Sequence, residues 1–215
     1  MNCPPSALTI PQLLAATAST YAGLPAIEDG DVRLSYRQLD DARRRAARAL
    51  LALGVSHGER VALWAPNVWE WIVAATALQS VGAVLVPLNT RMKGAEAALV
   101  LRESGASLLF VMSEFLGIHF PALLDDEELP ALRQRVILRG SRERAVDWPS
   151  FLALADDIDD SALEQRQAAI HADDLCDLLF TSGTTGKPKG VMTAHGQNLQ
   201  LVRDWSEMVG LRKGD

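Results

Sequence analysis

The 215-residue sequence predicts an α/β fold in which a parallel or mixed sheet is layered with helices. Strand-like and helix-like segments alternate with short connections along residues 60–112, and this order is typical of parallel strands joined by right-handed crossovers. The segment Leu108–Val111 is apolar throughout, as expected of a strand that is buried on both faces. Hydrophobic residues make up 48% of the chain and charged residues 22%, so a sizeable core can form.

The first half of the chain contains most of the predicted elements. Ser35 and Gln38 form a capping-box pattern that predicts a helix start, and Gly54 suits the left-handed position after its end. The elements predicted after it are the strand Arg60–Trp64, the helix Asn67–Ser80, the strand Gly82–Pro87, the helix Gly94–Ser104, the strand Ser107–Met112 and a further strand Arg135–Arg139. The five tryptophans (Trp64, Trp69, Trp71, Trp148 and Trp205) are interpreted as packing residues of the core.

The second half begins with acidic, turn-like sequence. We therefore expect residues 1–155 to form an α/β portion, residues 156–172 a flexible linker, and residues 173–215 a hairpin followed by a helix. The elements predicted in this last part are the strand Leu175–Phe180, a strand over Val191–Thr193 and the helix His195–Val209.

Composition excludes several classes of protein. The net charge of −6 argues against a nucleic-acid partner, so the arginines at positions 43, 44, 45 and 48 are interpreted as a solvated helix face. The two cysteines cannot form a disulfide framework, which favours the cytoplasm. The four histidines show no metal-ligand spacing. The uncharged stretch Trp71–Asn89 is interpreted as a buried helix followed by a strand rather than a membrane span, because Gly82 and Pro87 interrupt it.

One segment carries the chemistry. Residues 181–190 read TSGTTGKPKG and combine four hydroxyl side chains, three glycines and two of the chain's four lysines. Glycines let backbone amides approach an anion closely, hydroxyls donate to phosphate oxygens or coordinate magnesium, and lysines add positive charge. The pattern is not a Walker loop, because Pro188 follows Gly186-Lys187 and a strand rather than a helix comes next. We therefore predict a phosphate cradle between two strands; the alternative is a glycine-rich hairpin without a ligand.

The sequence resembles the adenylate-forming, AMP-binding superfamily, which includes acyl-CoA synthetases. TSGTTGKPKGV resembles the superfamily's phosphate-binding signature, and the resemblance covers nearly the whole chain. The other matching blocks are Leu34–Leu39, Gly54-Val55 with Gly58–Ala62, Ala65–Asn67, Gly82–Asn89, and His195 with Asn198. The resemblance implies the large N-terminal domain of such an enzyme.

The family's reaction has two steps: a carboxylate attacks the α-phosphate of ATP to give an acyl-adenylate and pyrophosphate, and a thiol, usually coenzyme A, then attacks the acyl carbonyl. The resemblance implies that Lys189 neutralises the departing pyrophosphate and that Thr181 contacts Mg²⁺. Lys187 falls where the family's pattern is variable. The implied binding residues for ATP or pyrophosphate are Thr181, Ser182, Gly183, Thr184, Thr185, Gly186, Lys187 and Lys189.

The family's adenine motif, ribose-binding aspartate, hinge and C-terminal lysine domain are not matched, so we expect an N-terminal part of a ligase that is inactive alone and self-associates. The expected substrates of the parent enzyme are ATP, coenzyme A and a fatty or other lipophilic carboxylic acid. An aryl- or amino-acid-activating or carrier-protein-acylating relative, or a non-catalytic phosphate-binding fragment, remains an alternative.

Overall fold

The computed structural model describes residues 7–181 and 188–212. Seven α-helices and nine strands lie within these ranges. The helices are α1 (Ile10–Thr20), α2 (Tyr36–Ala52), α3 (Trp69–Ser80), α4 (Gly94–Ser104), α5 (Trp148–Ala153), α6 (Asp160–Ala168) and α7 (His195–Met208). The strands are β1 (Pro25–Asp29), β2 (Val32–Ser35), β3 (Arg60–Trp64), β4 (Val84–Pro87), β5 (Leu108–Val111), β6 (Gln134–Ile137), β7 (Val146–Asp147), β8 (Leu175–Thr181) and β9 (Lys189–Ala194).

Two sheets organise the described chain. Strands β1 and β2 form an antiparallel hairpin, and the other seven form one sheet in the order β7-β6-β5-β3-β4-β8-β9. Strands β3 to β8 pair in parallel, while β9 returns antiparallel to β8. The predicted α/β class with a parallel or mixed sheet is therefore confirmed.

The chain reverses its winding direction at β3. The connection from β3 to β4 through α3 runs towards one edge of the sheet, and the connection from β4 to β5 through α4 crosses back to the other side of β3. Right-handed crossovers in opposite directions place α3 and α4 on opposite faces. In agreement, α3 packs with α2 and α1, whereas α4 packs with the 3-10 helix Phe120–Leu124.

The buried aromatic residues lock the layers together. The rings of Trp64 and Phe120 meet edge to face with centroids 4.8 Å apart, and Phe110 meets Phe151 in the same way at 5.2 Å. All four side chains are fully buried. Edge-to-face pairs add a geometric preference to the apolar burial, so the core specifies how the layers are oriented.

Local signals placed several boundaries correctly. Ser35 Oγ accepts the Gln38 amide at 3.3 Å, and Gln38 Oε1 accepts the Ser35 amide at 2.8 Å, which confirms the capping box. Gly54 follows the end of α2 with φ +73°. The predicted ranges of β3 and α4 match the structure, and the uncharged stretch is divided between α3 and β4. Within the described residues, helices that could cross a membrane are absent because each is too short or too polar.

The interpretation of the arginine cluster as a solvated face is wrong for Arg43. Its side chain is buried, and its guanidinium donates to Asp40 Oδ1 at 2.6 and 2.9 Å and to Ser80 Oγ at 2.5 Å. Burial lowers the pKa of Arg43, and Asp40 opposes that effect. A buried cation with paired donors ties α2 to α3, which helical periodicity alone does not reveal.

Trp205 does not belong to the core, contrary to the prediction. Its side chain is 53% exposed on α7, whereas Trp64 and Trp148 are buried as expected. The exposed face of α7 also carries other apolar residues, namely Leu201, Val202 and Met208. The sequence pattern shows an apolar stripe on this helix but not whether a partner layer covers it.

Residues 156–172 do not form a flexible linker as expected. They end a 3-10 helix and contain α6, whose Leu163 is fully buried. Arg166 Nη1 donates to the carbonyls of Val55 and Val81 at 3.1 and 3.2 Å, which holds α6 against the preceding layer. The acidic residues misled the interpretation because they pair with α2: Asp160 lies 3.3 Å from both Arg44 and Arg48. The division of the chain into functional parts at residues 155 and 172 stays a prediction.

Candidate functional site

The β8–β9 hairpin holds the described ends of the predicted phosphate segment. Thr181 and Lys189 face each other in the antiparallel register, and Thr181 Oγ1 lies 3.5 Å from the Lys189 carbonyl oxygen. Both residues are exposed. The structure therefore brings together the two predicted residues at the strand ends. The other predicted site residues lie outside the described ranges: Ser182, Gly183, Thr184, Thr185, Gly186 and Lys187.

The hairpin extends past the carboxyl ends of the parallel strands. Strand β8 runs parallel to β4, with Leu85 paired to Asp177. Thr181 is four residues beyond Asp177, while β4 ends two residues beyond Leu85. Thr181 and Lys189 consequently lie past the carboxyl ends of the parallel strands, which is where ligands bind in open α/β sheets.

A second feature of this edge is a cavity of about 940 Å³ that the sequence analysis did not identify as a site. It lies where the winding reverses between β3 and β5, the topological switch point of the sheet. Its walls are the segments that directly follow four neighbouring strands: residues 65–68, 88–90, 112–115 and 139–140. Polar residues at four successive strand ends were the signal that could have revealed it.

Arg139 is fixed in the cavity wall by two carboxylates. Its Nε and Nη2 donate to the two carboxylate oxygens of Glu70 at 2.8 Å each, and Nη2 also donates to Asp29 Oδ2 at 2.6 Å. The hydrogen bonds to Glu70 raise the pKa of Arg139 above its ordinary value. The Trp69 amide and Arg139 lower the pKa of Asp29. Because two acids neutralise one base, Arg139 serves to hold the wall rather than to attract an anion.

The remaining cavity wall mixes apolar surface with amide groups. Trp71, Leu88, Met112 and Phe115 supply the apolar part, and Asn67 and Asn89 supply side-chain amides. Asn89 is already partly engaged, because its Oδ1 accepts the Arg91 amide at 2.9 Å and its carbonyl accepts Trp64 Nε1 at 3.0 Å. This arrangement suits an organic ligand that has both apolar and polar parts.

Three contacts fix the base of the hairpin. Asp174 Oδ2 accepts His57 Nε2 at 3.0 Å and the His171 amide at 2.8 Å. Partial burial would raise the pKa of Asp174, but these hydrogen bonds outweigh it and lower the pKa. The Asp174 carbonyl accepts the His195 amide at 3.1 Å, so the same residue joins the start of α7 to the loop before β3.

His195, one of the residues that carry the family resemblance, is a buried neutral base. Its Nδ1 accepts the Ile10 amide at 3.3 Å, and burial lowers its pKa to about 4. Because Nδ1 accepts, the ring proton is on Nε2, which is buried without a hydrogen-bond partner among the described residues. His195 thus joins α1 to α7, and its ring lies in the interior rather than at the strand ends.

Neither a metal cluster nor an activated thiol is present in the described part of the chain. Groups of three or more histidine, cysteine or acidic residues that could hold a metal do not occur among residues 7–181 and 188–212. The Cys176 thiol is buried, and burial raises its pKa to about 12, with the nearby Asp177 adding to the shift. A thiol with so high a pKa is not a nucleophile at neutral pH.

Comparison with known proteins gives a consistent result. A family model described as "AMP-binding enzyme" matches residues 14–214. A relative from Rhodococcus jostii, 3-[(3aS,4S,7aS)-7a-methyl-1,5-dioxo-octahydro-1H-inden-4-yl]propanoyl:CoA ligase, is 39% identical over 96% of this chain. The long-chain-fatty-acid–CoA ligase FadD13 of Mycobacterium tuberculosis is 31% identical over 86% of the chain.

The solved structures agree with the sequence relatives. The anthranilate CoA ligase AuaEII in complex with anthranoyl-AMP is similar over 96% of this chain, with a TM-score of 0.77 and 27% identity. The chain covers 39% of that structure, 41% of the Rhodococcus relative and 34% of the Mycobacterium relative. The chain therefore spans about two fifths of the length of these proteins.

Proposed function

Because this chain belongs to the AMP-binding enzyme family, we propose that it is part of an ATP-dependent acyl-CoA synthetase. In that reaction a carboxylate oxygen attacks the α-phosphorus of ATP and pyrophosphate leaves. The thiol of coenzyme A then attacks the acyl carbonyl, AMP leaves, and the thiol proton passes to solvent. Relatives that are named as CoA ligases support this reaction. The observation that carries the proposal is the Thr181–Lys189 pair at the carboxyl edge of the sheet, within the matched family.

The proposed role of the hairpin is to hold the β- and γ-phosphates. Lys189 is exposed at the first position of β9 and would neutralise the leaving pyrophosphate as charge develops on it. Backbone amides and hydroxyls of residues 182–186 would donate to phosphate oxygens, and Lys187 would contribute a second charge. Such a site accelerates phosphoryl chemistry by orientation and electrostatics, without a covalent step on the protein.

Thr181 fits a magnesium contact in its chemistry. Mg²⁺ prefers oxygen ligands and usually keeps several waters beside substrate phosphates. The exposed Thr181 hydroxyl offers one neutral oxygen near the carboxyl ends of the parallel strands. Phosphates and waters would complete the coordination shell of the ion. A bound Mg²⁺ supplies charge neutralisation at the phosphates, while Thr181 itself would orient that ion or one of its waters.

For the acid substrate we propose a fatty or other lipophilic carboxylic acid. The named relatives include a long-chain fatty-acid ligase and a ligase for a bicyclic propanoate. An aromatic acid is the second candidate, since the structurally similar AuaEII is an anthranilate CoA ligase. We also propose that the protein is cytoplasmic. It would self-associate through the exposed apolar residues of α7 and the edge strand β9.

The experiment that tests the function is a panel of acids given to a protein of the relatives' full length that contains this chain. Thioester formation with ATP, Mg²⁺ and coenzyme A should be strongest for fatty or other lipophilic acids. Strong preference for benzoates would favour the aromatic alternative, and binding of ATP without turnover of any acid would favour a non-catalytic role. The 215-residue chain alone should turn over at least about a thousandfold more slowly, because groups that act together would be missing.

A further inference from the structure

We propose that Asp177 is a positioning residue that sets where Thr181 and Lys189 lie, by pinning the β8–β9 hairpin to both α3 and α7. This inference rests on the proposed function only for the meaning of those two positions. Asp177 precedes the TSGTTG segment by four residues and belongs to neither the motif nor the blocks that carry the family resemblance.

The first observation is that the hydrogen-bonded register between the hairpin and the rest of the sheet is short. Among the described residues, the register between β4 and β8 consists of the Leu85–Asp177 pair, whereas β3 pairs with β4 over four residues. From Asp177 onwards β8 is paired with β9, over the register that ends at Thr181 and Lys189. The distal half of the hairpin is therefore a two-stranded ribbon, and such ribbons need further contacts to be fixed.

The second observation is that the Asp177 side chain makes contacts at this same junction. Its Oδ1 accepts Gln79 Nε2 of α3 at 3.1 Å, and its Oδ2 accepts Asn198 Nδ2 of α7. Gln79 is buried, while Asp177 and Asn198 are half-buried. One carboxylate thus uses one oxygen for the helix before β4 and the other for the helix after β9.

These hydrogen bonds have a different effect from the apolar packing of the hairpin. Leu178 and Phe180 pack against the core, but apolar contacts are not directional and allow a ribbon to turn. Charge-assisted hydrogen bonds to two separate helices restrict the orientation. Thr181 lies four residues along the extended chain from Asp177, a distance of about 13 Å. A rotation of about 10° at Asp177 would then displace Thr181 by about 2 Å, which is enough to disrupt a phosphate site.

The test exploits the complementarity of Asp177 and Asn198. Asn198→Asp places a second carboxylate against Asp177 and removes the donor, so the hydrogen bond between Asp177 and α7 should be lost. Adding Asp177→Asn should restore it, because the amide introduced at position 177 can donate to the carboxylate introduced at position 198 while its oxygen still accepts from Gln79. Asp177→Asn alone should have little effect, since the Asn198 amide can turn over and offer its oxygen.

A matched control is available on the same helix. Gln200 donates to Asp204 at 2.7 Å on the exposed side of α7. Gln200→Glu therefore also places a carboxylate beside an aspartate, but solvent and salt screen the repulsion. It should behave like the wild type.

Two measurements on the 215-residue chain decide the outcome. Calorimetric titration with pyrophosphate should show binding weakened about tenfold in Asn198→Asp and restored to within about twofold in Asp177→Asn/Asn198→Asp. Amide hydrogen exchange of residues 178–180 and 191–193, which needs no ligand, should rise in the single variant and return to normal in the double variant. Unchanged exchange in Asn198→Asp, or no recovery in the double variant, overturns the proposal.

The two readouts also separate this inference from the function on which it rests. The wild-type chain could fail to bind pyrophosphate while hydrogen exchange still rises in Asn198→Asp and returns to normal in the double variant. In that case Asp177 positions the hairpin, but the proposed phosphate role of the hairpin is wrong. If the wild type binds pyrophosphate and both Asn198→Asp measurements match it, the phosphate site stands and Asp177 does not position it.

Discussion

Replacing His195 by asparagine removes a buried titratable base from the start of α7 while keeping a hydrogen-bond acceptor. The side chain is fully buried, and its Nδ1 accepts the Ile10 amide at 3.3 Å. Burial lowers the pKa of His195 to about 4, with Asp174 opposing this effect and His57 adding to it. Asparagine Oδ1 can occupy a position similar to Nδ1, so the link to α1 can survive the substitution.

The expected effect on stability follows from the two protonation states. In the unfolded chain the histidine has a pKa of about 6.5, so it binds a proton at a higher pH than the folded chain does. The contribution of neutral His195 to the free energy of unfolding is therefore fully present above about pH 6.5, and it is lost as the pH is lowered towards 4. A difference of about 2.5 pKa units corresponds to about 3 kcal/mol, of which about 2–3 kcal/mol is lost by pH 4.5.

Urea unfolding between pH 7.5 and pH 4.5 measures this contribution. The wild type should lose about 2–3 kcal/mol more than His195→Asn across that range. His119→Asn is the control for a histidine-to-asparagine substitution at the surface, because the His119 side chain is 68% exposed. The His57–Asp174 pair is retained in all three proteins. Parallel pH profiles for the wild type and His195→Asn would refute the buried-base interpretation.

Three further predictions concern backbone, charge and surface. Gly82→Ala should lower the urea midpoint of unfolding more than Gly58→Ala does. Both glycines have positive φ, so a side chain at either position costs about 1–2 kcal/mol. At Gly82, unlike at Gly58, the added Cβ would also lie 2.3 Å from His57 Cδ2. Equal midpoints would show that the His57 ring moves freely. Lys189→Ala should weaken pyrophosphate binding by about 1–3 kcal/mol more than Lys187→Ala in calorimetry, and equal losses would remove the special role of Lys189. Light scattering at micromolar concentration should show dimers or larger species, because apolar residues of α7 are exposed; a clean monomer would contradict this.

The sequence was most informative where short-range chemistry decides the structure. The Ser35–Gln38 capping box, Gly54 and the alternation from residue 60 to residue 112 depend on local hydrogen bonds and on burial at both sheet faces. These signals act within a few residues, so a single sequence reveals them. The same holds for the glycine- and hydroxyl-rich segment, whose two described ends the structure places opposite each other.

Features that depend on distant partners could not be predicted in this way. Arg43 is buried because Asp40 and Ser80 both accept from it, and Ser80 is 37 residues away. The cavity at the switch point needs the order of the strands in the sheet, and the role of Asp177 needs the positions of α3 and α7. The hairpin formed by residues 25–35 was also not predicted, because its short strands are polar at several positions and lack a clear alternation.

Exchange of pyrophosphate into ATP that depends on a carboxylic acid substrate is the most direct test of the proposal that this hairpin belongs to an acyl-adenylating enzyme. The measurement uses a protein of the relatives' full length that contains this chain, with radiolabelled pyrophosphate and a panel of carboxylic acids. The proposal predicts exchange that requires a carboxylic acid and falls by at least about a hundredfold in Lys189→Ala, since that residue stabilises the leaving group. Exchange that is absent with every acid, or equally fast in Lys189→Ala, would contradict it.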